Sequence, residues 1–139
     1  MYKRLIIAVD FDGTIVEHKY PQIGKELPFA IQTLKMLQQN GHRLILWTCR
    51  AGRELEEAVL FCRERGLEFY AINKNYPEES WKPESSRKIV ADLYLDDRIP
   101  GGLPSWTELY RTLHPETDYT GGMKESGRKW WIFKKSAAL

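Results

Sequence analysis

The sequence predicts an α/β sandwich with a mostly parallel central sheet. Short apolar runs, typical of buried strands, alternate along the chain with longer segments whose apolar residues recur at helical spacing. We predict strands at 5–9, 44–47, 68–72 and 91–95. The length of 139 residues is close to the usual size of one domain, so we predict a single domain over residues 1–139.

The first half of the chain carries the clearest alternation of strand and helix. Residues 5–9, LIIAV, are rich in β-branched side chains and have the pattern of a central strand buried on both faces. A helical pattern follows at 28–40, and Gly41 stands where a helix commonly ends in the left-handed conformation. A second helical pattern at 54–65 ends before Gly66 in the same way.

The second half of the chain is less regular. Residues 73–87 are polar and contain two prolines, which predicts a long loop between the third and fourth strands. A short helix is predicted at 106–113. The domain core then spans about 4–113, and the extension 114–139 has no clear period. Basic and aromatic residues at 124–135 could stack on nucleic acid, but we favour their packing against the core or another subunit.

Composition and charge argue against several classes of protein. A hydrophobic fraction of 42% is that of a globular domain, and a net charge of +2 gives no electrostatic reason for a nucleic-acid partner. The apolar run near the first residue is too short for a membrane span or a secretion signal, so we expect a cytoplasmic protein without a membrane partner. Cys49 and Cys62 lack metal-ligand spacing, and we interpret them as reduced thiols. A homo-oligomer is compatible with these observations.

Acidic residues follow two of the predicted strands directly. The first strand runs into Asp10-Phe11-Asp12-Gly13-Thr14, and the fourth runs into Asp96 and Asp97. Ligand sites of open parallel sheets lie beyond the carboxyl ends of the strands, so these acids are expected to meet. Close carboxylates repel one another unless a cation compensates them, and oxygen ligands suit Mg²⁺. The sequence therefore predicts a Mg²⁺ site formed by Asp10, Asp12, Asp96 and Asp97.

A possible phosphate site follows the second strand. The hydroxyl of Thr48 and the backbone N–H groups after it, at the entry to the next helix, could hold phosphate oxygens. Lys88 stands directly before the fourth strand and could neutralise the remaining anionic charge. Lys82 and Arg87 are the alternatives to Lys88. Two arginines flank these segments and are candidates for contact with substrate, namely Arg50 and Arg98.

Together these segments resemble the motifs of the haloacid dehalogenase (HAD) superfamily of phosphatases. The resemblance covers roughly residues 4–113 and rests on LIIAVDFDGT, LILWT, Lys88 and ADLYLDD. It implies a HAD-like fold, that is, a Rossmann-like three-layer sandwich around the parallel sheet. It also implies a set of substrate-binding residues, which here are Phe11, Gly13, Thr14, Thr48, Cys49, Arg50 and Lys88.

The same resemblance implies a role for each acid. Asp10 would attack phosphorus and form an aspartyl-phosphate, and Asp12 would protonate the leaving oxygen and later activate water. Thr48 and Lys88 would complete the catalytic set. Mg²⁺ would be bound by Asp10, by the backbone carbonyl of Asp12 and by two further acids, Asp96 and, directly or through water, Asp97.

The chain has no room for the specificity cap that many HAD proteins carry. Residues 17–27 can form only a small flap, so the resemblance is to the capless type, whose sites are open. Such sites suit large or macromolecular phosphorylated substrates, or are closed by a neighbouring subunit, so the expected partner is a small-molecule or a larger phosphorylated substrate. The loop 73–87, with Tyr76 and Trp81, is the other candidate wall of the site.

These observations predict a Mg²⁺-dependent phosphatase that cleaves a phosphate monoester, with a sugar phosphate or a nucleotide as candidate substrates. The alternative in another class is a non-catalytic HAD-like domain that binds phosphorylated ligands or partners as a regulator. A third interpretation, transfer of the phosphoryl group to an acceptor other than water, uses the same residues. We favour hydrolysis because transfer requires exclusion of water, and the chain has no cap.

Overall fold

The computed structural model describes residues 3–119, which form four strands and three helices. In chain order the elements are β1 (Ile6–Val9), α1 (Ala30–Gln39), β2 (Arg43–Leu46), α2 (Gly52–Glu64), β3 (Ala71–Ile72), β4 (Leu93–Leu95) and α3 (Trp106–Leu113). Each predicted element is present, and the third and fourth strands are shorter than predicted. The predicted loop between β3 and β4 is also present.

The four strands form one sheet in the order β3-β2-β1-β4, and every pairing is parallel. β1 is therefore central, as its β-branched sequence predicted. Ile7 pairs with Leu44 of β2 on one side and with Leu93 of β4 on the other. The α/β class and the parallel sheet are both confirmed.

All three helices pack on one face of the sheet. Ile7 and Val9 point to this face and are fully buried together with residues of α1, α2 and α3. The chain moves in one direction from β1 through β2 to β3, so right-handed crossovers place α1 and α2 on the same side.

The other face of the sheet is covered without a helix among residues 3–119. Ala8, Ile45 and Ala71 are buried there beneath Ile89, which belongs to the connection between β3 and β4. This connection returns across the sheet on the second face and contains Pro77 and a second proline, each of which disfavours a helix. The expected three-layer sandwich is therefore wrong for residues 3–119, which form two layers.

The packed part of the chain continues beyond α3. His114 is fully buried, and the Thr33 hydroxyl donates a hydrogen bond to the Tyr119 hydroxyl over 3.0 Å. Residues 114–119 therefore belong with the core, which the sequence predicted to end at 113. The basic and aromatic stretch at 124–135 lies outside the described residues. Across residues 3–119, no helix has the length and apolar character needed to cross a membrane.

Candidate active site

Three carboxylates converge beyond the carboxyl ends of the two neighbouring strands β1 and β4. Asp10 follows β1, while Asp96 and Asp97 follow β4. One oxygen of each side chain lies within 4.8 Å of the others, and all three residues are half-buried. The three acids can therefore act as a metal site, which confirms the predicted meeting of the two strand ends.

The electrostatics of this trio favour a bound cation. Burial, then the negative charge of Asp96 and, least, that of Asp97 raise the pKa of Asp10 to about 7, against hydrogen bonds from the Phe11 backbone and from Thr14. Without a cation, Asp10 therefore holds its negative charge poorly at neutral pH. A divalent cation that prefers oxygen ligands would remove this penalty.

Thr14 and Gly13 contact acids of this trio from within the protein. The Thr14 hydroxyl lies 3.1 Å from Asp10 Oδ2 and 3.2 Å from Asp97 Oδ1, and it accepts a hydrogen bond from the Asp97 backbone N–H at 3.1 Å. Its single proton can serve only one carboxylate at a time. Gly13 has a φ of 83°, and a Cβ there would overlap the Asp97 carboxylate. Thr14 is fully buried, so its side chain contacts the acids instead of the substrate that the sequence predicted.

The Asp12 carboxylate takes part in a separate, buried ion pair. Arg50 donates from Nε and Nη2 to the two Asp12 oxygens, at 2.7 Å each, and only 2% of Arg50 is exposed. The hydrogen bonds to Asp12 raise the pKa of the Arg50 guanidinium. The Asp12 side chain is therefore neutralised by Arg50, which leaves its predicted backbone carbonyl as the group that could contact a metal.

Arg50 also ties this carboxylate to two other segments. Its Nη1 and Nη2 atoms donate to the backbone carbonyls of Pro21 and Gln22 at 3.1 and 2.8 Å, and Nη1 also reaches the Glu54 carbonyl at 3.3 Å. Residues 17–27 form the predicted small flap, in which the Glu17 N–H donates to the Lys25 carbonyl. One side chain thus links Asp12, the flap and the first turn of α2.

A cavity of about 400 Å³ opens over these carboxylates. It brings together six of the predicted site residues, Asp10, Asp12, Thr48, Cys49, Arg50 and Asp96. Phe11 is fully buried, with its ring edge against the ring of Phe61, so only its backbone can approach a substrate. The remaining walls come from three residues, His18, Tyr20 and Arg98. The sequence predicted Arg98 as a flanking arginine, but no local sequence pattern indicated His18 or Tyr20 as site residues.

The predicted lysine lies elsewhere. The Lys88 ammonium lies 4.8 Å from the centre of the Tyr94 ring, and Lys88 does not line the cavity. The alternative Arg87 stacks over Trp81 at 4.5 Å, and Lys82 is likewise absent from the cavity lining. The phosphate-binding role of Lys88 stays a prediction. The predicted wall from loop 73–87 is wrong, since none of its residues lines the cavity.

The turn after β2 offers fewer free donors than the sequence suggested. The Thr48 N–H donates to Asn73 Oδ1 at 2.8 Å, and the Arg50 N–H donates to the Thr48 hydroxyl oxygen at 3.1 Å. Within residues 3–119, the Cys49 N–H has no acceptor. The Thr48 hydroxyl and the Cys49 N–H are therefore the groups of this turn that can still meet an anion.

Comparison with known proteins gives one informative similarity. No protein-family model and no curated protein matches the chain. The solved structure of a conserved protein coded by a locus from Bacteroides thetaiotaomicron is similar, with 54% sequence identity and a TM-score of 0.77. The match covers 88% of this chain and 99% of that chain. The chain therefore belongs to the same family as this conserved protein of Bacteroides thetaiotaomicron.

Proposed function

We propose that this protein is a capless, HAD-like phosphatase that hydrolyses a phosphate monoester with the help of Mg²⁺. The observation that carries the proposal is the half-buried trio of Asp10, Asp96 and Asp97, of which Asp10 and Asp96 line an open cavity. The proposal assigns to these acids the roles that the motif resemblance implies, Asp10 as nucleophile and all three as metal ligands. Three carboxylates with one raised pKa are poorly explained as a structural feature, because they repel one another and are incompletely neutralised.

The first chemical step would form an acyl phosphate on Asp10. A carboxylate oxygen attacks phosphorus, the bond from phosphorus to the ester oxygen breaks, and the leaving oxygen receives a proton from Asp12. The Thr48 hydroxyl and the Cys49 N–H are placed to donate hydrogen bonds to the phosphoryl oxygens. When bound by Asp10, Asp96 and Asp97, Mg²⁺ would neutralise part of the charge on those oxygens.

The second step would regenerate Asp10. Water attacks the phosphorus of the acyl phosphate, Asp12 accepts a proton of that water, and the bond between phosphorus and the Asp10 oxygen breaks, which releases inorganic phosphate and the Asp10 carboxylate. Asp12, which forms an ion pair with Arg50, must leave Arg50 and take up a proton from solvent before the first step, and it then hydrogen-bonds to the leaving oxygen and later to water. Since Arg50 also binds the flap carbonyls, movement of the flap and release of Asp12 are expected to occur together.

The test is Mg²⁺-dependent release of phosphate from p-nitrophenyl phosphate by wild type and by Asp10→Asn. We expect activity that disappears on chelation and falls on the order of 10⁴-fold or more in Asp10→Asn, because the attacking oxygen is lost. The matched control is Asp92→Asn, at the opposite end of β4, where an amide oxygen can still accept the hydrogen bond from the Ile6 N–H. Borohydride reduction during turnover should convert Asp10 to homoserine.

The results separate the mechanism from its alternatives. Full activity of Asp10→Asn would disprove the proposed nucleophile. Loss of activity in both Asp variants would point to unfolding, which circular dichroism detects directly. Release of an alcohol without matching release of phosphate, in the presence of an acceptor, would indicate phosphoryl transfer instead of hydrolysis.

One observation favours a second candidate, a domain that binds phosphorylated ligands without turnover. The double hydrogen bond from Arg50 occupies both carboxylate oxygens of Asp12, the proposed proton carrier. In such a domain, phosphate or vanadate would bind to the Mg²⁺-loaded protein, but no phosphate monoester would be hydrolysed. Calorimetric titration with vanadate, alongside the phosphatase assay, distinguishes the two candidates.

A further inference from the structure

The cavity is larger than the group that the proposed reaction transfers. Its volume is about 400 Å³, whereas a phosphoryl group displaces roughly as much as two or three waters at ~30 Å³ each. The additional space lies between the flap, which contributes His18 and Tyr20, and the segment after β4, which contributes Arg98. These three residues are exposed and have no task in the proposed transfer.

Arg98 is held at this wall by its own backbone and by the flap. Its N–H donates to Asp96 Oδ1 at 2.9 Å, which fixes the turn beside the metal site. Its Nη2 lies 3.4 Å from His18 Nε2, so the side chain extends to the flap. A guanidinium only donates hydrogen bonds, which means that His18 Nε2 accepts and the His18 proton resides on Nδ1.

The two arginines of the cavity differ in how their charge is compensated. Arg50 is buried and makes a double hydrogen bond to the Asp12 carboxylate. Among the residues that the structure describes, no carboxylate lies within ion-pair distance of the Arg98 guanidinium. Arg98 therefore presents an uncompensated positive charge and unused N–H donors in a geometry that suits a carboxylate or a phosphate.

We propose that Arg98 and His18 bind a second anionic group of the substrate, while the phosphoryl group lies against Asp10. This inference rests on the proposed phosphatase function and names its substrate class, a small phosphate monoester that also carries a carboxylate or a second phosphate. Tyr20 is 54% exposed and offers an aromatic surface to the carbon skeleton between the two anions.

The experiment compares phenyl phosphate with a matched series of anionic analogues, namely 2-, 3- and 4-carboxyphenyl phosphate and 1,3-phenylene bisphosphate. The three carboxylates sample different distances from the phosphorus, and the bisphosphate distinguishes the two kinds of anion. We expect wild type to show kcat/KM about 10- to 100-fold higher for at least one anionic analogue than for phenyl phosphate, as for a hydrogen bond between charged groups.

The variants assign that preference to the proposed residues. Arg98→Ala should abolish it while changing kcat/KM for phenyl phosphate less than about 3-fold, and Arg98→Lys should restore part of it because the charge returns. Arg63→Ala is the matched control, since Arg63 is an exposed arginine at the far end of α2 that pairs with Glu68. It should leave every rate unchanged.

Each outcome bears on one of the two proposals. If wild type hydrolyses phenyl phosphate without preferring any analogue, the second-anion site is disproved and the phosphatase proposal stands. The second-anion site is also disproved if Arg98→Ala lowers the rates of all substrates equally, because Arg98 then contacts the transferred phosphoryl group. If wild type hydrolyses none of the substrates, the phosphatase proposal fails, and the inference that depends on it fails too.

Discussion

The two ends of the sheet both carry clusters of titratable side chains. The clusters differ in how completely their charges and hydrogen-bonding groups are compensated. At the carboxyl ends of β1 and β4, Asp10 and Asp97 compete for the hydroxyl proton of Thr14, and Asp96 adds a third carboxylate beside them. At the opposite end, before β1 and β2, His42 meets His114 in the interior. The first cluster leaves negative charge uncompensated, whereas the second forms a chain of hydrogen bonds.

The histidine cluster can be followed atom by atom. The Leu5 N–H donates to His42 Nδ1 at 2.9 Å, so the His42 proton resides on Nε2. That proton points to His114 Nε2 at 2.9 Å, and His114 Nδ1 faces the Glu116 carboxylate at 3.4 Å. Each ring nitrogen has a partner, although His42 and His114 are only 5% and 0% exposed.

This difference is the one that we expect between a structural cluster and a functional one. Buried polar groups with complete hydrogen bonding stabilise a fold and need no ligand. Half-buried acids that repel one another cost stability unless a ligand compensates them, so they point to a bound cation and to chemistry. The charged cluster lies at the carboxyl edge of the sheet, where parallel sheets bind their ligands.

After the loss of the nucleophile Asp10, the largest effect that we expect concerns Asp12 and its role as proton carrier. In Asp12→Asn, the first-turnover rate for benzyl phosphate should fall about 10²- to 10⁴-fold, because an alkoxide leaves poorly without a proton. For p-nitrophenyl phosphate the fall should stay below about 10-fold, because p-nitrophenolate leaves unaided. Rapid-quench measurement of both substrates checks this, and equal losses would rule out proton donation by Asp12.

A smaller effect, which arises from the charges of the metal site, should appear in the free energy of unfolding of the protein. Without metal, Asp10→Asn should be more stable than wild type, because the amide removes a buried negative charge beside Asp96 and Asp97. Mg²⁺ at 100 times its Kd should stabilise wild type by about 2.7 kcal/mol and Asp10→Asn far less. Urea unfolding with and without Mg²⁺ measures both, with Asp92→Asn as control. A metal-free Asp10→Asn that is less stable than wild type would contradict the repulsion described here.

The sequence predicted where the helices end more accurately than it predicted the number of layers. Gly41 and Gly66 have φ values of 92° and 81° and end α1 and α2 where the sequence placed them. β3 was predicted from residue 68 but begins at Ala71, because an edge strand pairs on one side only. No local sequence pattern indicates that residues 3–119 lack a third layer. The lack follows from the connection between β3 and β4, in which Pro77 disfavours a helix.

For the site, the sequence predicted the residues at strand ends but not the pairs between them. Asp10, Asp96 and Asp97 meet because a parallel sheet brings strand ends together. The ion pair of Asp12 with Arg50 joins residues 38 positions apart, and residue identity alone does not reveal which neighbour neutralises an acid. The same limit applies to Lys88, which precedes the expected strand but stacks on Tyr94.

The smallest effect that we expect is a pH dependence set by the histidine end of the sheet. Burial, and next the charge of His114, lower the pKa of His42 below its ordinary value of 6.5. The unfolded state therefore binds more protons, and this contribution to stability is complete above pH 6.5 and is lost as the pH falls below it. Asp10 acts with the opposite sign, because its raised pKa makes the folded state lose stability as the pH rises through about 7.

The measurement therefore uses proteins that carry Asp10→Asn. In them Asp10 no longer contributes to the pH dependence of stability, and the contribution of the histidines remains. Between about pH 7.5 and 5.5, the free energy of unfolding should fall, because the unfolded state takes up a proton on His42 more readily than the folded state. Adding His42→Gln, whose amide can accept from the Leu5 N–H and donate to His114, should flatten this dependence. An unchanged slope in the double variant would show that the pH dependence arises elsewhere in the protein.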